Sequence, residues 1–189
     1  MFKLQVIAVS TREGRAGLPL VQWFSSRAMA HGGFDVELVD LKDVALPMFD
    51  EPAHPRLKKY RGEHTKAWSA RVDAADAFVF VMPEYNHGAP PSLINALDYL
   101  SSEWAYKACG FVSYGGLSGG TRGVVHAKQV LSAMKMVPLV ESVAFPFFNK
   151  LFREDGSFDG SQQEAAAKTM LDELVRWTQA LTTLRAPRG

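Results

Sequence analysis

The sequence predicts an α/β domain built on a doubly wound, five-stranded parallel sheet in the order 2-1-3-4-5, with helices on both faces. Two observations carry this. Five short, apolar, β-prone runs alternate with helical patterns, and such alternation implies right-handed crossovers that cover a parallel sheet from both sides. The segments after the first, third and fourth runs are long and rich in glycine, proline and hydrogen-bonding side chains, and in sheets of this kind ligands bind beyond the carboxyl ends of the strands. At 189 residues, one domain over 1–189 is expected.

The elements follow in order. Leu4 to Val9 reads as a buried strand. A polar loop, Ser10 to Gly17, leads to a helix with Leu20, Val21, Phe24, Ala28 and Met29 near one face, stopped by Gly32-Gly33. Phe34 to Leu41 is the second strand. Three prolines deny regular structure to Pro47–Pro55. A helix over Gly62–Asp73 precedes Ala77–Met82, the clearest central strand. The loop Pro83–Pro91, a helix over Leu93–Leu100 and a strand over Cys109–Tyr114 come next. Gly115–Gly120 then opens a helix running through Lys135. Val137–Phe145 is the fifth strand, Pro146–Gly160 is irregular, and Gln162–Leu184 is the closing helix, with Arg185–Gly189 a frayed tail.

Composition narrows the function classes. A net charge of +1 argues against a broad electrostatic grip on nucleic acid or an anionic membrane. Cys109 is the single cysteine, which precludes an intrachain disulfide and fits a reducing compartment; its apolar surroundings favour an inert thiol. The N-terminal apolar run is too short for a signal peptide, and no stretch reaches the roughly 18 apolar residues of a membrane span. A cytoplasmic protein is expected.

Chemistry concentrates in the three loops. The first sets Ser10, Arg12 and Arg15 between a strand end and a helix start, where backbone amides and the helix dipole favour an anion. Neither GxxxxGK[ST] nor GxGxxG is present. The second, Pro83-Glu84-Tyr85-Asn86-His87-Gly88-Ala89-Pro90-Pro91, is proline-braced and offers planar and hydrogen-bonding groups suited to a flat heteroaromatic ring. The third has four glycines in six residues. That pattern suits either a ligand lying against bare backbone or a turn requiring positive φ.

These segments, Ser10-Thr11-Arg12-x-Gly14-Arg15, Pro83-Glu84-Tyr85-Asn86-His87-Gly88 and Ser113-Tyr114-Gly115-Gly116-x-Ser118-Gly119-Gly120, resemble the NADPH-dependent FMN reductase family, which includes chromate, quinone and azo-dye reductases. Asn95 to Leu100, Trp104 and Lys107 add to the resemblance; Val9, Glu13, Ile94 and Ala89 depart from it. The resemblance implies a flavodoxin-like fold with noncovalent FMN and NAD(P)H as co-substrate. It places Ser10, Arg12 and Arg15 on the phosphate. Pro83, Glu84, Tyr85 and Asn86 would lie along the ribityl chain and ring, with Ser113, Gly115 and Gly116 on the far side. It implies hydride transfer to flavin N5, ping-pong turnover, no metal, and Tyr85 and His87 lining the acceptor space. It also implies a homodimer or dimer of dimers, for which Met48, Phe49, Phe147, Phe148 and Leu151 are exposed apolar candidates. A non-catalytic FMN-binding electron carrier or redox sensor is the alternative, as is a domain of this fold that binds another phosphorylated ligand.

Overall fold

A computed structural model describes residues 1–154 and 157–185. Strands β1 (Phe2–Ala8), β2 (Phe34–Asp40), β3 (Ala77–Pro83), β4 (Ala108–Tyr114) and β5 (Val137–Phe145) form one parallel sheet in the order β2-β1-β3-β4-β5, as the alternation predicts. Helices α1 (Leu18–His31), α2 (Leu41–Val44), α3 (Glu63–Asp73), α4 (Pro91–Asp98), α5 (Thr121–Ala133) and α6 (Glu164–Arg185) complete it.

Alternating strand residues divide the core in two. Leu4, Val6, Val79 and Val112 pack under α1 and α6, against Phe24, Met170 and Leu174. Ile7, Phe78, Phe80 and Phe111 face α3, α4 and α5, against Trp68, Leu97 and Leu131. Every residue of β3 and β4 is buried, which is why both read as unbroken apolar runs; the edge strand β2 leaves Asp35, Glu37 and Leu38 exposed. Trp104 sits fully buried against Phe78, ring centroids 4.9 Å apart, and its indole N–H donates to the Leu97 carbonyl.

The differences from expectation are local. Met29 is exposed, so the buried stripe of α1 is completed by Trp23 instead. Leu41 opens the short α2, which Asp40 caps by accepting the Lys42 amide, rather than closing β2. The Pro146–Gly160 segment holds a 3₁₀ turn at Phe148–Leu151, and there Phe148 is buried against Tyr114, not exposed. Arg185 ends α6, and the rest of the expected tail, 186–189, lies outside the described residues.

Lys107 is buried, and its ammonium donates to the Val72 and Asp73 carbonyls at 2.8 and 3.0 Å, capping the C-terminus of α3. Burial pulls its pKa down to about 8. Folding therefore lowers this pKa, the unfolded chain binds the extra proton between about pH 8 and 10.5, and stability must rise with pH across that window. Chemical unfolding at pH 7.5 and pH 10 should show wild type gaining stability relative to Lys107→Met. A constant difference between the two proteins would place the ammonium in water.

Candidate functional site

The carboxyl ends of β1, β3 and β4 lie on one edge of the sheet, and the three loops leave from it. In the first loop Arg15 donates to the Ser10 carbonyl at 2.9 Å and forms an ion pair with Asp40. It thereby ties the base of the loop to β2. Arg12 is different. Among the described residues it has no carboxylate partner, and its guanidinium lies 6.0 Å from the centre of the Tyr85 ring. The amides of Thr11, Arg12, Glu13 and Gly14 likewise meet no protein acceptor. Of the two arginines expected on a phosphate, Arg12 is free to bind one and Arg15 is held by Asp40.

Tyr85 bridges the first two loops, its hydroxyl 2.9 Å from Ser10 Oγ. Tyr114 joins them from below. It is buried, with its hydroxyl so close under the first loop that a Cβ on Gly17 would lie 2.3 Å from it. Burial, with Tyr85 nearby, pushes its pKa up, which the Ser10 hydroxyl partly offsets, so it stays a neutral donor. Sequence reasoning passed over Tyr114. The signal was available: alternation along β4 puts it on the face opposite Ser113, under the first loop.

In the second loop Tyr85 and Gly88 exchange backbone hydrogen bonds at 3.1 and 2.8 Å, closing a two-residue turn around Asn86 and His87. Both central residues have positive φ, 49° and 67°. Asparagine tolerates this region; histidine there is strained, by about 1–2 kcal/mol. The strain fixes two exposed polar side chains at the tip beside the sheet edge. His126, on α5, accepts the Ala89 amide on Nδ1 at 3.1 Å and steadies the base of the turn.

Glu84 is turned toward the third loop. Its buried carboxylate accepts from Arg122 Nε (2.7 Å), Ser118 Oγ (3.0 Å) and the amides of Arg122 and Gly123 at the start of α5. Burial raises its pKa, but Arg122, Ser118 and the Gly123 amide outweigh that and leave it lowered. Glu84 thus clamps the second loop to the third.

The third loop separates the two readings of its glycines. Gly119 (φ 59°) and Gly120 (φ 85°) serve the turn: a Cβ on either would come within 2.9 Å of backbone. Gly116 does neither; a Cβ there would meet nothing within 4 Å, so its bareness leaves open surface. Ser113 is 1% exposed, with a buried hydroxyl that has no partner, so its side chain is closed to the cleft as it stands. A concavity of about 380 Å³ adjoins Gly115 and Gly116, and another of about 400 Å³ adjoins Thr11, Met48 and Asn95. A larger one, about 490 Å³, lies between α1 and α6 and is crossed by the Arg27–Glu164 and His31–Asp172 pairs. It is a helix–helix groove whose lining residues all come from α1 and α6.

These residues suit FMN. Free amides and an unpaired guanidinium match a phosphate, and the strained turn and bare Gly116 leave room for a flat ring. Among the described residues no cluster of His, Cys, Asp or Glu could hold a metal ion.

Comparison with known proteins agrees. The NADPH-dependent FMN reductase family matches over residues 2–150. An NAD(P)H-dependent FMN reductase of Schizosaccharomyces pombe is 40% identical over 148 residues, 76% of this chain and 74% of that one. An NADPH:quinone oxidoreductase of Arabidopsis thaliana is 27% identical over 159 residues, covering 82% and 74%. Among solved structures, a flavoenzyme NAD(P)H:(acceptor) oxidoreductase from Paracoccus denitrificans superposes with a TM-score of 0.76 at 19% identity, over 95% of this chain and 98% of that one. With the strand order, the three loops and a family match over residues 2–150, the chain belongs to the NADPH-dependent FMN reductase family.

Proposed function

We propose that the chain is an FMN-dependent NAD(P)H oxidoreductase that passes electrons to a small acceptor: free flavin, a quinone, an azo dye or a metal oxyanion. The observation that carries this is the pairing of free loop amides and an Arg12 that has no carboxylate partner among the described residues with an exposed, positive-φ Asn86-His87 turn at the same sheet edge. Bound FMN supplies hydride acceptance from NAD(P)H and release to the acceptor, in ping-pong order. The protein binds and orients. Ser10, Arg12 and the loop amides hold the phosphate, and Arg15 fixes the loop through Asp40. Pro83, Glu84, Tyr85 and Asn86 run along the flavin, chiefly by backbone, with Gly115 and Gly116 on its far side. Ser113 supports that side from within. Tyr85 and His87 border the acceptor space. Apoprotein titrated with FMN should turn yellow with stoichiometric uptake; a protein that stays colourless at saturating FMN would end this reading.

Asn86→Asp should lower the reduction potential of bound FMN, because a negative charge near the ring disfavours its electron-rich reduced form. Spectroelectrochemical titration of both FMN-loaded proteins checks the sign. An unchanged or raised midpoint would put Asn86 away from the ring.

The protein is also proposed to be a cytoplasmic homodimer or dimer of dimers. Cys109, free and buried, suits a reducing compartment, and no helix among the described residues is long and apolar enough to cross a membrane. Met48 is 78% exposed and Phe49 stands beside it, an apolar pair next to the first-loop concavity. Light scattering should give at least twice the 20.9 kDa chain mass; a value equal to one chain at micromolar concentration would refute the assembly.

A further inference from the structure

Next to the third loop, the chain reverses abruptly after β5. Phe147 adopts a left-handed backbone (φ 49°, ψ 40°), a conformation that an aromatic residue holds only under constraint. Three hydrogen bonds impose it: the Phe147 and Phe148 amides donate to the Gly116 and Gly115 carbonyls at 2.8 and 3.0 Å, and the Lys150 amide donates to the Phe147 carbonyl at 2.8 Å. The effect is to separate two adjacent aromatics. Phe148 turns in and is 4% exposed, while Phe147 turns out and is 49% exposed. Packing alone would not present a phenyl ring to solvent at the cost of strain.

What surrounds that ring has a definite chemistry. Lys150 Nζ lies 5.2 Å from its centre and, among the described residues, has no carboxylate partner. Asn149 is exposed beside it, its side-chain amide unbonded. Phe147, Asn149 and Lys150 line the outer wall of the concavity of about 380 Å³ whose other wall is Gly115 and Gly116, the side given to the flavin. An exposed flat ring, a cation with no carboxylate partner among the described residues and an exposed amide in one depression complement a flat base that carries phosphate.

We propose that Phe147, Asn149 and Lys150 form the docking subsite for the adenosine-phosphate half of the pyridine nucleotide. This rests on the NAD(P)H oxidoreductase reading above. The sequence carries no GxGxxG segment, so the non-reacting half of the dinucleotide must find its place on the surface beside the flavin loops. Stacking on Phe147 and a charge-assisted contact to Lys150 provide one, and the hydrogen bonds to Gly115 and Gly116 tie it rigidly to the flavin site.

The test uses FMN-loaded wild type, Lys150→Glu and Phe147→Ala. Stopped-flow reduction by NADPH and NADH should show the apparent Kd raised about tenfold or more in each variant, with the limiting rate at saturation kept within about twofold. N-benzyl-dihydronicotinamide, which lacks the adenosine-phosphate half, should reduce all three proteins alike. Equilibrium dialysis of 5′-ADP should show binding to wild type and loss in Lys150→Glu. FMN affinity and the light-scattering mass should stay unchanged. Unaltered Kd values, an equal loss with the truncated reductant, a shift in FMN affinity, or dissociation of the assembly would each overturn the subsite, the last by making this face a subunit contact. If wild type takes up FMN but is reduced by neither nucleotide, the failure lies in the oxidoreductase reading. If reduction is normal and 5′-ADP does not bind, it lies in the subsite.

Discussion

Gly120→Ala is expected to destabilise the fold by about 2–4 kcal/mol, whereas Gly116→Ala leaves stability within about 0.5 kcal/mol of wild type and weakens FMN binding instead. At Gly120 two costs add. A φ of 85° is poorly tolerated by a residue with a side chain, and the new Cβ would lie 2.9 Å from both the amide nitrogen and the carbonyl oxygen of Tyr114. Backbone cannot step aside as a flexible side chain can, so β4 or the start of α5 must shift. At Gly116 the added methyl meets no protein atom within 4 Å and intrudes only on the open surface proposed for the flavin. Denaturant unfolding of the apoproteins, paired with FMN titration, separates the two glycines. Equal stability losses would erase the distinction between turn glycine and ligand glycine.

Arg12→Ala is expected to weaken FMN binding by about 1.5–3 kcal/mol, some 10- to 150-fold, the range for a hydrogen bond to a charged group. Riboflavin, which lacks the phosphate, should lose far less. The prediction rests on Arg12 alone being unpaired, since the guanidinium of Arg15 faces Asp40 at the loop base. Arg15→Ala should therefore act first on the stability of the apoprotein, because it leaves the largely buried Asp40 carboxylate without its partner. Matched losses of FMN and riboflavin affinity in Arg12→Ala would remove this residue from the phosphate site.

The parts legible in sequence are those fixed by local pattern. Strand order, both faces of the core and the gathering of the three loops at one edge followed from alternation and apolar runs such as Ala77–Met82. What escaped was set by partners distant in the chain. The partner of the Glu84 carboxylate, Arg122, lies 38 residues on and has no local signature. Arg15 looks equivalent to Arg12 until Asp40, at the end of a neighbouring strand, is placed beside it. Tyr114 sits within a quoted motif, yet its role depends on Ser10 and Gly17 across the sheet edge. Phe147 and Phe148 are indistinguishable as letters; only the hydrogen bonds their amides donate to the Gly116 and Gly115 carbonyls turn one inward and the other outward.

The central claim is tested most directly by the reductive half-reaction. FMN-loaded protein is mixed anaerobically with NADPH or NADH and then, in a second mix, with a quinone. The oxidised-flavin absorbance should be lost in the first mix with saturable dependence on nucleotide and return in the second with saturable dependence on the quinone. Flavin that stays oxidised with both nucleotides, in protein that has bound FMN stoichiometrically, would contradict it and leave an electron-carrier or sensor role in its place.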